Sequence, residues 1–145
     1  MLLFYLGEDR YALDTERVLE VIPRVRLTGI PNAPPHVAGI FNYRGSPVPV
    51  LDLCLLIRGE ACPLRLGTRI VLVDYPDRSA TTRIGLMVER ITTTVRVEGT
   101  GFVLPSVVEA PYLDRIGMDA EGLIQHIAVE RLMPDLGTLL LTEGS

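Results

Sequence analysis

The stretch Gly39-Ile40-Phe41-Asn42-Tyr43-Arg44-Gly45-Ser46-Pro47-Val48-Pro49-Val50-Leu51-Asp52-Leu53 decides the fold. Two β-rich runs meet at Arg44-Gly45-Ser46, where glycine can supply the positive φ of a tight hairpin turn. Pro47 and Pro49 are two apart, so they face one way along the second strand, and neither can donate to a ladder. That spacing predicts a strand with a free edge. Asp52 stands where it can cap a short helix carrying Leu53, Leu55, Leu56 and Ile57, which Arg58-Gly59 terminates.

On the N-terminal side of this hairpin, Ile30 to Val37 holds three prolines between apolar residues and reads as an ordered connector rather than a linker. Before it, Asp14-Thr15-Glu16-Arg17 offers one helical turn that runs into a strand at Val18-Leu19-Glu20-Val21-Ile22, stopped by Pro23. The chain opens with Leu2 to Leu6 and Arg10 to Asp14 around the turn chemistry of Gly7-Glu8-Asp9, a second hairpin. On the C-terminal side the strands recur. Arg69 to Tyr75, Ile84 to Val88 and Thr92 to Val97 are short and rich in β-branched residues, with a polar loop from Pro76 to Thr82. Tyr112 to Met118 and Leu123 to Val129 flank a turn at Asp119-Ala120-Glu121-Gly122, and a helix start follows at Glu130-Arg131-Leu132-Met133. Each half therefore repeats strand, glycine turn, strand and short helical segment. No helical period is long enough for the crossovers of a parallel sheet, so the expected fold class is all-β, two small barrels packed on one another.

Composition bounds the function. A chain of 145 residues that is 48% hydrophobic and 22% charged can bury a core as one ordinary domain. Eighteen acidic against 14 basic residues give a net charge of −4, which offers no grip on a phosphate backbone, so nucleic acid is not an expected partner. Every basic residue is arginine, which excludes a phosphate-binding, Schiff-base or Ser-Lys lysine. The apolar start Met1 to Leu6 lacks a basic flank and runs into Gly7-Glu8-Asp9, so neither a signal peptide nor membrane insertion is expected.

The side chains that carry catalysis are present without their settings. Ser46, Ser79, Ser106 and Ser145 lie outside any GxSxG context, and Gly99-Thr100-Gly101 lacks the rest of a dinucleotide fingerprint. His36 and His126 lie ninety residues apart, without metal-ligand spacing, and read as ordinary structural or surface histidines. Cys54 and Cys62 have seven residues between them, neither a redox CxxC nor half of a zinc site, and fall short of a secreted disulfide framework. A reducing cytoplasm fits that usage best, with Cys54 as a small buried hydrophobe; a Cys54–His126 nucleophile pair has no local group to activate the thiol. No catalytic residue, metal site or cofactor is expected. Glu20 and Arg44 stand apart from the other charges because both sit in apolar strand contexts. A mutual salt bridge or a partner contact would account for them, and so would two solvated residues on outward strand faces.

Together these residues resemble the CheW-like adaptor domain of bacterial chemosensory arrays. The likeness rests on Phe4-Tyr5-Leu6-Gly7, Arg10 to Asp14, Val18-Leu19-Glu20-Val21, Ile30-Pro31 with Pro34-Pro35, and above all Gly39 to Leu53. It continues more loosely through Ile84 to Glu89, Pro105 and Tyr112-Leu113, so it covers nearly the whole chain. The resemblance implies one domain over residues 1–145, made of two interleaving, five-stranded, SH3-like barrels taken roughly from the first and second halves, with short helical turns. It implies no catalysis, and an adaptor that couples the cytoplasmic tip of a chemoreceptor to the regulatory domain of a CheA-type histidine kinase. It places Val18, Glu20, Val21, Arg44 and Val88 at a receptor-facing groove, and Gly39, Asn42 and Gly45 in the kinase-binding motif. Tyr43, Cys54 and Glu89 depart from the usual leucine, arginine and aspartate. The chain is also similar to adaptors of surface-sensing arrays whose output is a cyclic-dinucleotide synthase. The implied location is the cytoplasm, beside membrane receptors. From the residues alone the rival is a small β-barrel module for a soluble apolar ligand.

Overall fold

The computed structural model describes residues 1–76, 81–94, 102–103 and 112–132. In chain order its strands are β1 (Leu2–Leu6), β2 (Asp9–Leu13), β3 (Val18–Pro23), β4 (Val37–Tyr43), β5 (Ser46–Asp52), β6 (Arg69–Pro76), β7 (Thr81–Val88), β8 (Arg90–Thr94), β9 (Phe102–Val103), β10 (Leu113–Asp119) and β11 (Gly122–Ile127). They form two sheets, ordered β8-β1-β2-β11-β10-β9 and β3-β6-β7-β5-β4. The first draws strands from both ends of the chain, five plus the two-residue β9; the second takes five from the middle. The all-β class and the two-sheet layout are as the sequence led us to expect.

Local chemistry explains the elements. The opening hairpin pairs Phe4 with Tyr11 and Leu6 with Asp9, and the two facing rings stack at 6.0 Å. Thr15–Arg17 is a single 3-10 turn that delivers the chain into β3. Cys54–Arg58 is one π-helical turn, closed by Gly59 at φ 81. Asp52 caps it as its position suggests: Oδ1 accepts from the Leu55 amide at 3.1 Å, and Oδ2 accepts from the Cys62 amide at 3.0 Å. Val129–Arg131 forms a last 3-10 turn. Leu2, Phe4, Leu6 and Leu13 of the first sheet join Val50, Leu51, Ile70, Leu72, Ile84 and Leu86 of the second in one buried cluster, so the two sheets share a core. Burying each of these leucine and isoleucine side chains stabilises the fold by about 1.5–3 kcal/mol.

Two expectations need correction. β5 is not an edge strand: β4 flanks it on one side and β7, in parallel, on the other. The β7 pairing reaches only Val50 to Asp52, so the free edge that the prolines need is confined to the first half of the strand, which holds Pro47 and Pro49. The two cysteines are not separate buried thiols. Cys54 and Cys62 are joined as a disulfide with Cα atoms 5.0 Å apart, which leaves no Cys54 thiol for a nucleophile pair with His126. The strand expected from Thr92 to Val97 runs to Thr94; Val95 to Val97, most of the 76–82 loop, Ser79, Gly99-Thr100-Gly101, Pro105, Ser106, Met133 and Ser145 lie outside the described residues.

Candidate functional site

The β4–β5 hairpin builds a rigid tip. Tyr43 pairs with Ser46, leaving Arg44 and Gly45 as a two-residue loop with φ of 50 and 87, the positive pair that characterises a type I′ turn. Glycine meets that requirement freely; Arg44 bears a steric cost of about 1–2 kcal/mol. Asn42 stabilises the turn, its Oδ1 accepting from the Gly45 amide at 2.8 Å.

At this tip Glu20 of β3 meets Tyr43 at the end of β4 and Arg44 of the turn. The Tyr43 hydroxyl donates to Glu20 Oε2 at 2.8 Å, and Arg44 Nη2 lies 3.5 Å from Glu20 Oε1. One carboxylate is thus shared by a phenol and a guanidinium, in place of the two-pronged arginine fork that the residue type invites. The Arg44 guanidinium also lies over the Tyr43 ring, 5.0 Å from its centroid, and that of Arg83 approaches the same ring at 5.9 Å. Bonding to Glu20 pushes the Tyr43 phenol up from its ordinary range, because ionising it would set two negative charges together. The Arg44 side chain is 73% exposed, so its charge is presented to solvent and to whatever docks there. β3 and β4 are the outer strands of their sheet, so contact between them requires the sheet to curl upon itself. The Thr28–Ile40 bridge, with amide bonds of 2.9 and 2.8 Å, marks the same closure.

The residues singled out in the sequence do not share one surface. Alternation along β3 turns Val18, Glu20 and Ile22 to one side and Leu19, Val21 and Pro23 to the other. Val18 packs half-buried against the core, whereas Val21 is exposed beside Leu19. Val88 is 0% exposed and cannot line a groove; its side chain belongs to the shared core, a correction that follows from the inward register of β7. Gly39 is buried as well. With φ 154, a Cβ there would lie 2.7 Å from the Thr28 carbonyl oxygen and 2.8 Å from Leu27 Cβ, so this glycine lets the closing segment pass. Asn42 and Gly45 shape the turn. Tyr43, noted in the sequence only as a departure from leucine, is the residue that joins Glu20 to the tip, and Arg83 was not foreseen there at all. A hydroxyl beside Arg44 at the base of a tight turn was the available signal.

Other polar clusters hold the frame. His126 is 2% exposed, with Nε2 2.9 Å from Asp14 Oδ1 and Nδ1 against the Asp114 carboxylate. Arg10 holds Asp119 with both guanidinium branches, one at 2.9 Å, and donates to the Gly122 carbonyl at 2.9 Å. The guanidinium bonds pull the Asp119 carboxyl down to about 2. Glu89 accepts from the Gly7 amide. Asp52, Cys54 and Cys62 bring three metal-type donors together, but the carboxylate already receives backbone amides and the sulfurs are bonded to each other.

A CheW-like domain model matches residues 1–136. The chain belongs to the CheW-like family. Among similar proteins is the chemotaxis protein CheW of Helicobacter pylori, 30% identical over 97 residues, which are 67% of this chain and 56% of that protein. CheW of Klebsiella aerogenes is 23% identical over 137 residues, covering 91% of this chain and 80% of the relative. Protein PilI of Pseudomonas aeruginosa is 32% identical over 88 residues, 61% of this chain and 47% of its own. In two of these three relatives the match thus spans about half of the relative's length. The scaffolding protein TtCheW from Thermoanaerobacter tengcongensis superposes with a TM-score of 0.82 at 26% identity, covering 92% of this chain and 90% of that one. The CheW-like family is one of scaffolds and adaptors in chemotaxis, and the two-sheet architecture described above is its fold. Among the described residues no helix is long and apolar enough to cross a membrane.

Proposed function

We propose that this CheW-like chain is a non-catalytic adaptor that couples the cytoplasmic tip of a chemoreceptor to the regulatory domain of a CheA-type histidine kinase, at membrane receptor arrays in the cytoplasm. The observation that carries the reading is the Glu20–Tyr43–Arg44 cluster, a shared carboxylate with an outward guanidinium on a locked hairpin. Such a tip offers one directed positive charge and an aromatic platform, the kind of pair that anchors protein interfaces. The family's scaffolding character supports the adaptor role, and Asn42, Gly45 and Gly39 serve it by setting the hairpin's shape.

The test is reconstitution of the full chain with a receptor cytoplasmic fragment and a CheA-type kinase from the same source. The reading expects co-sedimentation of all three and a rise in kinase autophosphorylation that needs this chain. Absence of both would overturn it. Native mass spectrometry of the same preparation reads the rival: a retained small apolar molecule, with no kinase or receptor binding, would favour a ligand-binding barrel.

A further inference from the structure

Between the end of β3 and the Thr28–Ile40 bridge, residues 24–27 belong to no strand and have no strand partner among the described residues. The β3 ladder stops at Pro23, paired with Arg69, and among the described residues no backbone hydrogen bond joins residues 24–27 to another strand. This segment borders a groove of about 430 Å³ lined by Arg24, Val25, Arg26, Leu27, Leu64 and Met87. Val25 and Leu27 turn partly inward, while Arg24 and Arg26 are exposed. Leu64 is 67% exposed at the rim, and Met87 is buried beneath. Among the described residues the lining has two guanidiniums and no carboxylate, and neither arginine has an ion-pair partner. The cluster of Glu20, Tyr43 and Arg44 contributes nothing to it.

We propose that this groove is a second docking surface, which takes an extended, acidic, leucine-bearing peptide segment of another protein by strand addition along residues 24–27. Unpaired backbone in extended form is what an added strand hydrogen-bonds to. Residues two apart on a strand point the same way, about 6.6 Å apart, so one side of the guest would set leucines against Val25, Leu27 and Leu64. Its carboxylates would meet Arg24 and Arg26, where a planar fork holds each with two bonds. An anionic lipid surface would use the same arginines, but it makes no use of an open backbone ladder, and the chain's net charge of −4 opposes it.

The probe is a capped six-residue synthetic peptide of alternating leucine and glutamate, titrated into the ¹⁵N-labelled full chain. The proposal expects amide shifts concentrated at residues 24–28, 64–67 and 86–88. It expects binding at least tenfold weaker for Arg24→Glu/Arg26→Glu and about fivefold weaker for Leu64→Ser, with unchanged melting of each variant. Replacing the peptide's glutamates by lysines, or N-methylating its alternate amides, should abolish binding. Shifts centred elsewhere, equal binding of the N-methylated peptide, or full affinity in the arginine variant would each overturn the proposal. So would sedimentation of the chain with phosphatidylserine vesicles while the peptide leaves the 24–27 amides unmoved, which would assign the surface to lipid.

Discussion

Replacing Gly39 by alanine should destabilise the protein by about 3–5 kcal/mol, because this buried glycine has no room for a Cβ. A non-glycine residue held at φ 154 carries strain of about 1–3 kcal/mol. The added Cβ would sit 2.7 Å from the Thr28 carbonyl oxygen and 2.8 Å from Leu27 Cβ, and forcing such an overlap adds about 1–3 kcal/mol. Relief requires the closing segment to back away, which weakens the Thr28–Ile40 amide pair at about 0.5–1.5 kcal/mol per bond. The protein as a whole is expected to have about 5–15 kcal/mol of stability, so the variant would be folded but marginal. Urea unfolding followed by far-ultraviolet circular dichroism measures this, with the midpoint falling at unchanged slope. Any loss of kinase binding should then follow the unfolded fraction. A stability loss below about 1 kcal/mol, or lost binding in a fully stable variant, would refute the packing argument.

Three further outcomes are expected. Cys62→Ser removes a cross-link across eight positions, worth about 2–3 kcal/mol, and should lower Tm by roughly 10 °C; a dithiol should lower the native protein's Tm equally and leave the variant's unchanged. The Asp119 carboxyl is held below its unfolded value, so its contribution is complete above about pH 4 and is lost as pH falls towards 2. At 37% exposure, solvent screening limits that contribution to about 1 kcal/mol, and Asp119→Asn should flatten the stability profile across this window, as read by urea melts at each pH. Glu20→Gln should lower the pH at which the Tyr43 phenol ionises, observed at its ring carbon by NMR; an unchanged titration would mean that the hydroxyl is not bonded to Glu20 in solution.

The hairpins were legible because their cause is local. Turn chemistry at Gly7, Arg44-Gly45 and Asp119 to Gly122 lies between alternating runs, and the structure pairs each one. The parallel seams were not, since β2 with β11 and β5 with β7 join segments far apart in sequence, and short strands alone do not announce such partners. That is also why Pro47 and Pro49 pointed to a whole edge strand when only half of β5 is free. The disulfide escaped because seven intervening residues mean nothing until Asp52 accepts the Cys62 amide and folds the loop back. At the site, Glu20 and Arg44 were found from charge in an apolar setting. The position of Val88 required the register of β7, and the part played by Tyr43 required the barrel to close.

The most direct test of the adaptor account is a double-mutant cycle on Glu20→Gln and Arg44→Ala, reading kinase activation in the reconstituted assembly beside thermal melts. If the shared carboxylate organises a partner-facing tip, each change should reduce activation at least tenfold while Tm moves by only a few degrees. The double variant should then lose little more than either single one, because the two residues act as a unit. Arg44→Lys should rescue in part, since an ammonium keeps the charge without the planar fork. Normal activation by folded Arg44→Ala protein would contradict the account and leave Arg44 a solvated charge at the end of a strand.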